Sequence, residues 1–175
     1  MAKSKSSILK LRTVKVAVVA AAYAATTVLL APISFGAFQV RVSDVMMPIP
    51  YHPMLGFNGV IGLTIGCLIA NLVSPFGVWD VVLGTLANLV SATLSYLAGR
   101  LMPRSVIGRL AAVSAPLVVV TLLIGYVLLH LIYLEPVYVA VPGVLAGEAV
   151  SAGLGGYLLL EAMDRRWRYD ARKLK

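Results

Sequence analysis

Apolar and charged residues follow one another along this chain in long blocks. Five stretches, roughly 14–35, 56–74, 79–99, 110–133 and 140–162, are nearly free of charge over the ~20 residues that a helix needs to cross a bilayer. A further stretch, 42–52, is apolar but short, and Asp44, Pro48 and Pro50 interrupt it. All but one of the 15 Lys and Arg fall in three clusters. These are Lys3, Lys5, Lys10, Arg12 and Lys15; then Arg100, Arg104 and Arg109; then Arg165, Arg166, Arg168, Arg172, Lys173 and Lys175. The positive-inside rule puts all three on the cytoplasmic side. Five crossings fail that condition, because they place the basic ends on opposite faces; a crossing at 42–52 restores the parity. The pattern therefore predicts an all-α integral membrane domain of six spans. Its second span is short and proline-broken, and the basic tails 1–13 and 163–175 are both cytoplasmic. Irregular backbone at membrane depth must be covered by neighbouring helices or line a cavity. Trp79, Tyr133 and Tyr138 fall at the outer boundary and Trp167 and Tyr169 at the inner one, where interfacial aromatics belong.

Composition narrows the function. With 60% hydrophobic residues, 13% charged and a mean hydropathy of +0.92, the chain is no ordinary soluble domain. Its 175 residues make one membrane domain, expected to be a multi-pass protein of a prokaryotic cell membrane. The net charge of +8 follows from topology and from anionic cytoplasmic headgroups. No basic run is interleaved with aromatics, so nucleic acid is not an expected partner. A lone cysteine, Cys67, rules out an internal disulfide. The basic start followed by an apolar run resembles a signal peptide, but the later spans favour a retained first span. The chain has no G-x-x-x-x-G-K-[ST], H-E-x-x-H, C-x-x-C or G-x-S-x-G. An enzyme, a metal site or a bound cofactor is not expected, and any ATP use falls to a partner.

The uncompensated polar groups collect in the outer half of this topology. Gln39, Arg41, Ser43 and Asp44 follow the first span, Asn71 ends the third, and Asp80, Asn88, Ser91 and Ser95 share a face of the fourth. Glu148 lies in the first turns of the last span, within a ladder of small residues, Gly143, Gly147, Ser151 and Gly155, that would bring a neighbouring backbone close. A charge in a membrane helix costs about 2.5–3.5 kcal/mol on insertion scales, so it marks a functional site by default. Glu148 is read either as a ligand contact, or as a structural ion pair with Arg41 or a protonated, hydrogen-bonded carboxyl. Asp80 reads as a helix cap more readily than as a ligand contact, and His130 as an interfacial histidine. Groups from several helices meeting in one half of the bundle form the pattern of an outward-opening ligand pocket. On the first span, Ala17, Ala20, Ala21, Ala24 and Ala25 form a ridge that serves either internal packing or a partner's helices; Gly62, Gly66 and Ala70 repeat the spacing on the third.

The stretch Ala31-Pro32-Ile33-Ser34-Phe35-Gly36 with Phe38-Gln39-Val40-Arg41 resembles the QueT family. So do Gly62-Leu63-Thr64-Ile65-Gly66-Cys67, Ala70-Asn71-Leu72, Ser74-Pro75, Asp80-Val81-Val82 and Gly84-Thr85-Leu86-Ala87. The likeness covers residues 14–100, and beyond them rests on hydropathy and the Gly147-Glu148 pair. It departs at Asp44, where a glutamate is expected, and in the proline-rich run 46–53. The resemblance implies the substrate-binding S component of an energy-coupling factor (ECF) transporter, with six helices and a loop after the first span that closes over the substrate. It implies a membrane T subunit that meets the alanine ridge, two cytoplasmic ATPase subunits, and a queuosine precursor, a 7-deazaguanine base, as cargo. Such a base presents a ring N–H and an exocyclic amine that match one carboxylate. Glu148 or Asp44 is expected to take that edge, with Asn71, Asn88 and Gln39 answering the carbonyl and ring nitrogens. Phe35 or Phe38 would stack on the base, and Arg41 would pair with a carboxylate to hold the loop. A pterin or pyrimidine cargo, or a structural role in a membrane complex, is the alternative.

Overall fold

A computed structural model describes residues 2–35 and 39–173, with side chains over 10–35 and 39–166. The described residues are helical, turn or irregular, with no strand. Helix α1 spans Ala2–Leu29, and a single turn, α2, spans Ala31–Ser34 with Pro32 in its first turn, where a missing N–H costs nothing. Two 3₁₀ turns follow, Val42–Met46 and Ile49–Tyr51. Then come α3 (Gly56–Asn71), α4 (Gly77–Leu101) and α5 (Val106–Val120), which runs on into wider π-helical turns over Thr121–Ile132. Helix α6 (Val137–Glu148) passes through π turns at Ala149–Gly155 into α7 (Gly156–Lys173).

Side-chain contacts fix the direction of each pass. A Cβ on Gly62 would lie 2.9 Å from the Val16 carbonyl oxygen, and one on Gly66 would lie 2.7 Å from that of Ala20, so α3 runs parallel to α1 at near backbone contact. Only residues without a side chain allow that approach, and in lipid such packing is what joins helices. Gly66→Leu is accordingly expected to destabilise the protein by about 1–3 kcal/mol through overpacking. A lowered thermal midpoint in detergent would report it; an unchanged midpoint would mean that α1 and α3 are not held this closely.

The segment between α2 and α3 returns along α1. The Thr27 and Ser43 hydroxyls hydrogen-bond at 2.7 Å, the Tyr23 hydroxyl donates to Asp44 Oδ1, and Lys15 Nζ donates to the Met54 carbonyl at 2.6 Å. From Thr27 to Lys15 is about 18 Å along the helix at ~1.5 Å per residue, and residues 43–54 retrace it. Helix α4 descends antiparallel to α3, with Asn71 Nδ2 donating to the Asp80 carbonyl at 3.1 Å and Cys67 Sγ to that of Gly84 at 3.5 Å. Ser95 Oγ donates to the Ala112 carbonyl at 2.8 Å, which orients α5. Arg109 Nη1 reaches Asp164 Oδ2 at 2.7 Å, which orients α6 and α7.

Among the described residues the chain thus passes six times between the two ends of the bundle. One end carries Lys15, Arg100, Arg104, Arg109 and Arg165; the other carries Trp79, Tyr133 and Tyr138, all exposed. Four helical stretches are long and apolar enough to cross a membrane: Lys10–Leu29, Gly77–Leu101, Val106–Ile132 and Val137–Arg166; Gly56–Asn71 is a shorter apolar helix. Large apolar side chains such as Val18, Leu110, Leu122, Val150 and Leu158 cover the outside, while Arg41, Asp44, Asn88 and Glu148 are buried. That inversion of the usual arrangement suits a protein whose surroundings are lipid.

Three expectations are corrected. The pass at 42–52 is not one broken helix but two separate 3₁₀ turns, because Pro48, Pro50 and Pro53 lack the N–H that an α-helix would use. The first span does not reach residue 35: α1 stops at Leu29, before Pro32. Arg109, read only as a topology charge, is buried, and bridges Asp164 and also Glu161 at 3.3 Å. His52 Nε2 lies 3.6 Å from the other Asp164 oxygen and ties the end of the proline segment to the same knot.

Candidate functional site

Near the middle of the bundle the first 3₁₀ turn brings a carboxylate inside. Ser43 and Asp44 are buried there by α1, whose Tyr23 is fully buried and whose Thr27 lies one turn further on. The Asp44 carboxyl faces that of Glu148, the last residue of α6, which is 2% exposed. Glu148 Oε2 has no hydrogen-bond partner.

The small residues of α6 make this meeting possible. There is no room for a Cβ on Gly147, because the Gln39 carbonyl occupies that space, and a Cβ on Gly155 would lie 2.8 Å from Val45 Cγ2. The backbone that the ladder of small residues was expected to admit is therefore the segment 39–48. It is held against α6 and its π-helical continuation.

Two further elements close the centre. Asn88 on α4 is 1% exposed, and neither its amide nitrogen nor its oxygen has a partner; Ser91 Oγ and Thr85 Oγ1 on the same helix are likewise unpaired. Thr121, where α5 turns into its π stretch, also keeps a buried, unpaired hydroxyl. Leu117 packs on Gly153, and Gly125 on Ala140 and Val144, so Thr121 stands level with Glu148. The Ser95–Ala112 bond puts Asn88 near the same level. Each buried polar atom left without a partner costs about 1–3 kcal/mol, and native proteins keep few of them. Here they come from α4, α5 and α6, beside an acidic segment.

The centre offers the hydrogen-bonded carboxyl pair of Asp44 and Glu148, both acceptor and donor from Asn88, and hydroxyls from Thr121 and Ser91. That set suits a small planar molecule with several hydrogen-bonding edges. Asn88→Leu, which replaces the unpaired amide by an apolar group of similar size, is expected to raise the thermal midpoint of the ligand-free protein. A lowered midpoint would mean that Asn88 has structural partners.

The other expected residues divide. Gln39 is buried beside Gly147. Arg41 does not pair with a carboxylate at ion-pair distance among the described residues. Instead its Nε donates to the Ser34 carbonyl at 3.3 Å, and its guanidinium lies 5.1 Å from the centre of the Phe35 ring. The cause is the one-turn helix α2, whose last carbonyls have no helical partners; Arg41 takes one and stacks on the adjoining ring. Phe35 is thus held by Arg41, and Phe38 lies outside the described residues.

Asn71 is a brace more than a contact: its amide nitrogen is engaged by Cys67 Sγ at 3.4 Å and by the Asp80 carbonyl, leaving only Oδ1 without a partner. Asp80 lies inside the first turn of α4 and accepts from the Ser74 hydroxyl in the α3–α4 turn. Among the described residues it makes no capping bond to the helix backbone, and only its place as an acidic group beside the helix N-terminus remains of the cap reading. His130 Nδ1 lies 2.9 Å from the Glu135 carbonyl and its ring tilts against Tyr126, as an interfacial histidine would.

The alanine ridge also divides. Ala20 is buried against Gly66 and belongs to the α1–α3 contact, Ala24 is half-buried, and Ala17, Ala21 and Ala25 remain exposed beside Val14 and Val18.

Sequence reasoning missed Tyr23 and Thr121. Tyr23 had a signal: with Thr27 it repeats at four residues on the face of α1 that carries Ala20. Thr121 had none, since one threonine in an apolar helix bonds its own backbone as readily as anything else.

A family model described as QueT transporter matches residues 13–165. No curated protein and no solved structure matches the chain.

Proposed function

The chain belongs to the QueT transporter family, and from that premise we propose that it is the substrate-binding S component of an ECF-type importer that captures a 7-deazaguanine queuosine precursor. The family is one of transporters rather than enzymes, and the apolar helices make the chain a membrane protein. In this reading all six passes cross the cell membrane, with the basic end in the cytoplasm, as the positive-inside rule asks. A T subunit docks on the exposed alanines Ala17, Ala21 and Ala25, and two cytoplasmic ATPases supply the energy for reorientation and release.

The observation that carries the reading is the set of unpaired buried polar atoms on Asn88, Thr121 and Glu148. A guanine-like edge offers adjacent N–H donors to Glu148, or to Asp44, and a carbonyl and ring nitrogens to Asn88 and the hydroxyls. Satisfying several orphaned atoms at once turns a standing cost in the empty protein into binding energy. Gln39 and Arg41 sit on the segment that Gly147 admits, so closure over the base would run through them.

The test is denaturing extraction of the purified protein with mass spectrometry of the released molecules, followed by titration of the emptied protein with candidate bases. The proposal expects a 7-deazaguanine to be released or to bind tightly. Preferential binding of a pterin or pyrimidine would keep the site and discard the cargo. Failure to bind any planar heterocycle would overturn the reading.

A further inference from the structure

A groove and a cavity lie on either side of the α4–α5 turn at the basic end of the bundle, away from the polar centre. The groove, about 490 Å³, runs between α4 and α5 on the outside of the protein. Its walls are Leu94, Leu97 and Leu101 from α4 and Val118 from α5, and its floor is formed by small residues, Ala98 and Ala115 among them. It is apolar apart from Ser114, and it ends at Met102 in the α4–α5 turn. On the other side of that turn lies a more polar cavity of about 370 Å³, lined by Tyr51, Pro53, Gly99, Pro103, Arg104 and Asp164. Asp164 is committed to Arg109 and His52. Arg104, and Arg100 one turn back on α4, are exposed, and neither has an ion-pair partner among the described residues. The Tyr51 hydroxyl holds the turn in place through the carbonyls of Met102, at 2.9 Å, and Ser105, at 3.1 Å.

We infer that the α4–α5 groove and the turn that ends it bind one anionic phospholipid, with an acyl chain lying between Leu94 and Met102 and the phosphate on Arg104 and Arg100. Charge complementarity selects this occupant. A furrow with small residues between large walls suits a single chain better than a helix, which needs a broader face. Two exposed arginines flank its last residues in the chain, Arg100 before Leu101 and Arg104 two residues after Met102, and favour a headgroup with net negative charge over a zwitterionic one. The site is independent of the cargo: it shares no residue with the centre around Asp44, Asn88 and Glu148.

The experiment is native mass spectrometry, with a parallel thermal midpoint, on the full chain in detergent. Phosphatidylglycerol and phosphatidylcholine of identical chains are added separately. The expected result is one retained phosphatidylglycerol, bound about tenfold or more tighter than phosphatidylcholine, with a matching rise in midpoint. Arg100→Gln with Arg104→Gln should remove that preference while leaving the lipid-free midpoint unchanged, because both side chains are exposed. Ala115→Trp should fill the groove and reduce retention of both lipids. Equal binding of the two lipids by the unaltered protein would overturn the inference. So would a preference for phosphatidylglycerol that survives loss of both arginines, or an equal effect from glycerol phosphate, which carries no acyl chain.

Discussion

Glu148→Gln is expected to weaken binding of a 7-deazaguanine base about tenfold or more while leaving the helical bundle folded. Glu148 is buried, one of its oxygens has no partner, and its carboxyl hydrogen-bonds that of Asp44, a bond that the isosteric amide can keep as a donor. What changes is the charge and the donor pattern. A carboxylate accepts both N–H groups of a guanine edge, and such charge-assisted bonds are roughly twice as strong as neutral ones. An amide accepts at one atom and presents its own N–H groups at the other, opposite a donor. The comparison with Asp44→Asn separates contact from support. Asp44 accepts a hydrogen bond from the buried Tyr23 hydroxyl, so its substitution should lower the thermal midpoint as well as the affinity. Calorimetric titration of both variants with the base, beside their melting curves, gives the answer. An undiminished affinity in Glu148→Gln would take Glu148 out of the ligand's reach and leave Asp44 as the acidic partner.

Gly147→Val should be the more damaging substitution, although it removes no polar group. The Gln39 carbonyl already fills the space that a first side-chain atom would need. The branched side chain must push residues 39–40 away from α6, and with them Gln39 and the Arg41 that anchors to Ser34 and Phe35. Binding should fall by about a hundredfold, equivalent to ~2.7 kcal/mol, because the segment can no longer seat over the centre. The far-ultraviolet circular dichroism should stay that of a helical protein, since the α1–α3 and α4–α5 contacts lie elsewhere. Wild-type affinity in Gly147→Val would show that the approach of segment 39–48 to α6 has no part in capture. Loss of helical signal would show that the segment is a structural keystone rather than a movable cover.

How much of this was legible in the sequence depends on the scale of the feature. Charge clusters and apolar blocks act over whole spans, and they located the long helices and the polar groups buried among them, Asp44, Asn88 and Glu148. The close approach at Gly147 was also legible as a type of event, since small residues at helical spacing admit a backbone, though the sequence did not say whose. What was hidden depends on single hydrogen bonds between distant elements. Arg41 was expected to seek a carboxylate because charge dominates a sequence reading, yet the free carbonyls of a one-turn helix and a neighbouring ring were nearer. Asn71 reads as a ligand group from the sequence, whereas its amide nitrogen is spent on Cys67 and Asp80 and only its oxygen is left for a ligand. Arg109 and Asp164 lie 55 residues apart in the chain, and no periodicity links them.

The second pass has a consequence for how the protein is made. A run of two 3₁₀ turns with three prolines offers the insertion machinery too few consecutive apolar residues to be recognised as a span. It carries Asp44 as well, so it has no favourable partition into lipid by itself. Its unmet backbone groups become tolerable only once α1, α3, α4 and the last span, from α6 to α7, surround it. Residues 42–54 join the far end of α1 to the near end of the parallel α3, so they must cross together with α3 rather than as a span of their own. Assembly of this protein is then not a sequence of independent insertions in chain order. Asp44 reaches the ligand centre only through the packing of this segment on the helices around it.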